Sequence, residues 1–114
     1  MQIQINRGSS ISMHPALTES IKADLHTCLE RFGKRLTRVE VHLSDENGKK
    51  SGPNDKRCLL EVRSRSHRVL TVKDQSSDIQ TAVSGAANKM ERLLETTFSK
   101  LYDKRRIGAP IPMA

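Results

Sequence analysis

The chain has 114 residues, 35% of them apolar, and a net charge of +7 from 20 Lys/Arg against 13 Asp/Glu. That length suits one domain with a modest core. No apolar run reaches the 18 residues of a membrane span, and the alternating start Met1-Gln2-Ile3-Gln4-Ile5-Asn6 is unlike a secretory leader, so a cytoplasmic protein is expected.

Ile3 and Ile5 alternate with Gln2, Gln4 and Asn6, which predicts a strand over 1–6. Gly8-Ser9-Ser10 reads as a turn. Ser12 is placed to cap a helix, with Pro15 in the first turn, where its missing N–H does no harm. Leu17, Ile21, Leu25, Cys28, Leu29 and Phe32 recur at helical spacing, so a helix is expected over 13–32, stopped by Gly33. Val39, Val41 and Leu43 then alternate with Arg38, Glu40 and His42, a half-buried strand over 37–44. The stretch 45–56 is turn and charge, hence a loop. A third strand is expected over 57–66, with Cys58, Leu60 and Val62 opposite Arg57, Arg63 and Arg65. A fourth follows over 69–73, but Val69, Leu70 and Val72 leave its inner face open.

Ser77 and Gln80 have capping-box spacing and predict the start of a second helix. Its apolar positions are Ile79, Ala82, Val83, Ala86, Met90, Leu93, Leu94, Thr97 and Leu101. Gly85 sits among them at a cost of up to ~1 kcal/mol, which points to close packing on the sheet. Pro110 and Pro112 preclude regular helix near the end, so 105–114 is expected to be a flexible tail beyond a domain of 1–104. The fold class is α+β, in the order β-α-β-β-β-α. Each helix has one apolar stripe, so both should pack on one face of a four-stranded mixed sheet. A right-handed crossover makes the first two strands parallel, and the rest is an antiparallel meander.

The charge is unevenly spread. Residues 31–73 hold 12 Lys/Arg against 5 Asp/Glu, while the flanking segments are nearly balanced. On the second helix Lys89, Arg92, Thr96 and Lys100 fall on one flank of the apolar stripe, and Glu91 and Glu95 fall on the far side. A second basic group, Arg31, Lys34, Arg35 and Arg38, ends the first helix and opens the next strand, and Arg57, Arg63, Arg65 and Arg68 continue it. Cations at a helix C-terminus are favourable in themselves, which accounts for Lys34 and Arg35 but not for the rest. Such a surface reads first as a nucleic-acid binder. Only Phe32, Phe98 and Tyr102 are aromatic, and both Phe fall on helices, so stacking of bases on strand aromatics is excluded and backbone contacts are expected.

Other classes find little support. The loop Gly48-Lys49-Lys50-Ser51-Gly52 lacks the P-loop pattern. No nucleophile elbow, triad motif or paired carboxylates stand out, so no enzyme, cofactor or small-molecule substrate is expected. His14, His26, His42 and His67 are scattered one to an element, which argues against a metal site, and Cys28 and Cys58 read as reduced core thiols.

These stretches also resemble a known family. MQIQIN at the start, HPAL at 14–17, RVEVHLSDENG at 38–48, DKRCLLEVR at 55–63 and DIQTAVSGAANKMERLL at 78–94 are similar, in order, to the ribosome hibernation promoting factor (YfiA/RaiA) family, once described as sigma-54 modulation proteins. The resemblance spans roughly 1–104. It implies the β-α-β-β-β-α fold, binding to rRNA in the mRNA/tRNA channel of the small subunit and of the whole ribosome, and inhibition of translation in stress or stationary phase. Lys89 and Arg92 match the family's K-x-x-R, and Arg31, Lys34, Arg35 and Arg38 match only as a basic region. The loop 45–56 is longer than usual and Thr96 stands at an often basic position. Only 10 residues follow Lys104, so the dimerising domain of the long form is expected to be absent and the protein monomeric off the ribosome. The competing reading is a stress-related protein-interaction module that modulates transcription without touching rRNA.

Overall fold

The computed structural model describes residues 1–8, 11, 13–45, 56–66 and 68–108, with backbone alone from 100 onward. The strands are β1 (Gln2–Arg7), β2 (Leu36–Asp45), β3 (Lys56–Ser64) and β4 (Val69–Ser76), and the helices are α1 (Pro15–Leu29) and α2 (Ile79–Gly108). The order is the expected β-α-β-β-β-α. The sheet runs β1-β2-β3-β4, with β1 and β2 parallel and the other pairs antiparallel.

Alternation decides which face is covered. Val39, Val41 and Leu43 of β2 and Cys58, Leu60 and Val62 of β3 point to one side and are buried. Against them pack Ile21, Leu25 and Leu29 of α1 and Ala82, Val83, Ala86, Ala87, Met90, Leu94 and Phe98 of α2. Both helices therefore cover a single face. Ile11, whose N–H bonds to the Gly8 carbonyl at 3.1 Å, closes the core at 5% exposure and carries no periodic signal in the sequence.

Several boundaries depart from the sequence reading, each for a local reason. Helix α1 starts at Pro15, and its cap is His14, whose Nδ1 accepts the Ala16 N–H at 3.2 Å. Ser12 lies outside the described residues. Gly33 is not a stop: α1 gives way at Glu30 to a 3₁₀ segment, Glu30–Arg35, closed by the Leu36 N–H on the Gly33 carbonyl. Strand β4 runs on to Ser76 because Asp74 and Ser76 keep the alternation of Leu70 and Val72 towards α2, with Val69 turned outward. That settles its inner face. Strand β3 ends at Ser64, so Arg65 stands in the following turn and not on the strand face with Arg57 and Arg63.

The cap of α2 is Asp78, not Ser77. The Asp78 Oδ2 accepts the Thr81 N–H and hydroxyl, both at 3.1 Å. Gln80 reaches away to Ser20 Oγ instead of back to the cap. Asp78→Ala should therefore destabilise the fold by about 1 kcal/mol, and Ser77→Ala by much less; thermal melts of the two variants check this. Helix α2 also continues past Lys104 to Gly108, into the stretch expected to be tail, while 109–114 lie outside the described residues.

Both cysteines are free, as core thiols should be. Cys58 is fully buried, and burial, with the Asp74 charge nearby, pushes its thiol up to about 12. Cys28 is half-buried between the helices, and burial followed by the Glu91 carboxylate raises its pKa too. A thiol whose pKa is higher folded than unfolded contributes stability that is present below the unfolded value and lost as pH rises. For Cys58 that loss runs from about 9 to about 12. Native alkylation at neutral pH should label Cys28 slowly and Cys58 only on unfolding, as peptide mapping of the alkylated protein would read.

Candidate nucleic-acid interface

The two ends of the meander decide where the basic residues go. The Arg65 N–H bonds to the Arg35 carbonyl at 2.9 Å, which joins the end of the 3₁₀ segment to the β3–β4 turn. The Ser64 N–H bonds to the Arg68 carbonyl, and the buried Ser64 Oγ accepts the Arg68 N–H at 3.2 Å. Lys34, Arg35, Arg65 and Arg68 thus occupy one corner of the sheet, all exposed. Arg35 also lies 4.8 Å over the Phe98 ring, which brings α2 to the same corner. Arg68 belongs with this group through the turn that carries it, a proximity the basic run alone does not reveal.

Lys89 and Arg92 sit on the β4 side of α2, both exposed. Lys89 Nζ donates to the Lys73 carbonyl at 2.8 Å and to Asp74 Oδ1 at 3.2 Å. Strand β4 is an edge of the sheet, so the lysine occupies a backbone acceptor that has no strand beyond it. Arg92 has no side-chain partner among the described residues. Gly85, one turn before Lys89, answers to the same carboxylate. A Cβ there would overlap Asp74 Oδ2 and lie 2.7 Å from its Cγ. The glycine is needed because a side chain of β4 rests on the helix backbone.

Glu91 and Glu95 lie on the opposite, α1-facing side of α2, as the helical projection requires. Arg31 meets both, at 3.3 Å from Glu91 and closer still to Glu95. Its guanidinium also lies 4.5 Å over the Phe32 ring, which packs on Phe98 at 5.8 Å. Arg31 is thus engaged by the domain's own carboxylates at an exposed position, a pairing that needs the interhelical packing and is invisible in the sequence.

The uncovered face of the sheet is a third environment. Glu40 and Glu61 stand directly opposite one another on β2 and β3, where like charges repel. Arg38 reaches Glu40 at 3.3 Å and also bonds Gln4, while Arg63 reaches Glu61 at 3.6 Å and Glu40 at 3.9 Å. The two arginines relieve the repulsion. His42 joins at 3.7 Å from Glu40, so Glu40, His42 and Glu61 place ligand atoms within 4.8 Å of one another. The register across β2 and β3 makes this group, which the scatter of histidines along the chain concealed. Arg57 shares the strand face with Arg63 and has partners of its own. Lys100 is on α2, its side chain outside the described residues.

The ten expected residues therefore separate. Lys34, Arg35, Arg65, Lys89 and Arg92 line a corner and one flank of α2, with Lys100 further along the helix. Arg31, Arg38 and Arg63 are engaged by carboxylates elsewhere, and Arg57 lies on the β3 face with partners of its own. No described helix is long and apolar enough to cross a membrane.

A small α+β domain with an open, charged sheet face and a basic helix flank is the class these features define. The chain belongs to the family described as Sigma 54 modulation protein / S30EA ribosomal protein, whose model matches residues 5–102. Among solved structures it is similar to a ribosomal subunit interface protein from Coxiella burnetii, with a TM-score of 0.73 and 17% identity over 87% of this chain and 99% of that one. It is also similar to the N-terminal domain of Protein Y from Thermus thermophilus, with a TM-score of 0.62 and 14% identity over 84% of this chain and 94% of that one. At those identities the likeness is one of fold. No curated protein matches.

Proposed function

We propose that the protein is a ribosome-associated translation inhibitor that binds small-subunit rRNA in the channel used by mRNA and tRNA, during stress or stationary phase. It works by occupancy and carries out no reaction. Family membership supports ribosome association. The observation that carries the rRNA contact is the exposed basic surface, Lys89 and Arg92 on the flank of α2 leading to Lys34, Arg35, Arg65 and Arg68, on which Asp74 beside Lys89 is the one paired carboxylate among the described residues. Glu91 and Glu95 lie on the other side of the helix, where Arg31 holds them. The spacing of three between Lys89 and Arg92 lets both follow one phosphate strand. Arg35 stays available on its outer side while its plane rests on Phe98. Lys100 extends the row, and Arg57, Arg63 and Arg38 lend positive potential from the open face. Arg31 serves the interface by keeping Glu91 and Glu95 away from it.

A titration of the purified protein into a cell-free translation reaction tests the proposal. Inhibition should saturate near one protein per ribosome and be relieved by excess mRNA and tRNA. Undiminished synthesis at a several-fold excess would overturn it. The family description also names sigma-54 modulation; a complex that survives nuclease and high salt would favour that reading.

A further inference from the structure

Lys89 is already engaged before any RNA arrives. Two of its three N–H donors are spent on the Lys73 carbonyl and Asp74. The Asp74 carboxylate occupies the space that a side chain at Gly85 would fill. Its side chain is 29% exposed and Lys89's is 55%. The carboxylate is therefore the inner partner, and the ammonium stands between it and solvent.

We propose that Asp74 is a restraint on the RNA-binding surface, a built-in competitor that holds Lys89 and lowers the affinity of the α2 flank for phosphate. The inference rests on the rRNA-binding reading above. A phosphate that approaches the free donor of Lys89 comes within a few ångströms of the Asp74 carboxylate and is repelled. The lysine, already neutralised locally, also displaces fewer of the counterions condensed on the RNA when it binds. An asparagine at 74 has the same shape and still offers a carbonyl oxygen to Nζ, so geometry is kept while the charge is removed. Gly85 makes the arrangement possible, because any side chain there would push the carboxylate off the helix.

The test is equilibrium binding of the full-length protein to purified small ribosomal subunits across a salt series, for wild type, Asp74→Asn and Lys89→Ala, and for Lys89→Ala in the D74N background. Asp74→Asn should bind about 3-fold more tightly near ~0.1 M salt, with a log–log salt slope steeper by part of the roughly 0.7–0.9 that one full contact contributes. Lys89→Ala should cost more affinity in the D74N background than in the wild-type background, because Lys89 then works unrestrained. Melting curves recorded alongside separate binding from stability. A lower melting temperature with unchanged or weaker binding by Asp74→Asn would overturn the proposal and leave Asp74 a structural residue. If wild type itself does not bind subunits at low salt, the rRNA-binding reading fails, and this inference with it.

Discussion

Ribosome binding should fall by about 100-fold near ~0.1 M salt when Lys89 and Arg92 are both replaced by glutamate. Each cation that neutralises a phosphate releases counterions, and at that salt one contact is worth about tenfold in affinity. Reversing the charge removes the contact and adds repulsion, so the figure is a lower one. The fold should tolerate the change. Both side chains are exposed on a helix whose buried stripe, Ala86, Met90, Leu94 and Phe98, lies elsewhere. Losing the tie from Lys89 to β4 is worth no more than about 1 kcal/mol, in line with exposed ion pairs. The melting temperature should shift by only a few degrees, and circular dichroism should be unchanged. The matching control is Glu91→Gln with Glu95→Gln. It frees Arg31 on the other flank and should not weaken binding.

Leu60→Ala should destabilise the protein by about 3 kcal/mol. Leu60 is fully buried on β3, with Val41 and Val72 beside it in the sheet and α2 above. Truncation leaves a cavity that a central strand, hydrogen-bonded on both sides, cannot collapse into. Small domains have only about 5–15 kcal/mol to lose, so a melting temperature lower by roughly 10–15 °C is expected. Thermal denaturation followed at 222 nm measures it. A loss under about 1 kcal/mol would mean that the core relaxes around the gap. Ribosome binding below the transition should be retained, because Leu60 is fully buried on the helix-covered face while Lys89 and Arg92 are exposed.

These two cases mark what the sequence discloses and what it withholds. The pattern of Val39, Val41, Leu43, Cys58, Leu60 and Val62, with one apolar stripe per helix, specifies the sheet, its covered face and the element order. The sorting of Lys89 and Arg92 away from Glu91 and Glu95 is likewise a matter of 100° steps. Ends of elements are less legible because short-range competition decides them. Asp78 outdoes Ser77 as the cap by bonding both groups of Thr81. Asp74 and Ser76 prolong β4 although neither is apolar: Asp74 meets Lys89 and Gly85 of α2, and the Ser76 hydroxyl accepts the Asp78 N–H. Pairings between distant segments are not legible at all. Arg31 to Glu91 and Glu95, Glu40 opposite Glu61, and Lys89 on Asp74 each depend on a register or crossing that periodicity does not set. The reason for Gly85 is of the same kind: the sequence implies close packing, but only the fold shows that a carboxylate is what approaches.

The most direct test of the ribosome-binding proposal is co-sedimentation of the purified protein with ribosomes and isolated small subunits at low and high salt. Near-stoichiometric pelleting with both at low salt, lost at high salt and competed by tRNA and mRNA, is the expected result. A protein that stays in the supernatant at low salt would contradict the proposal.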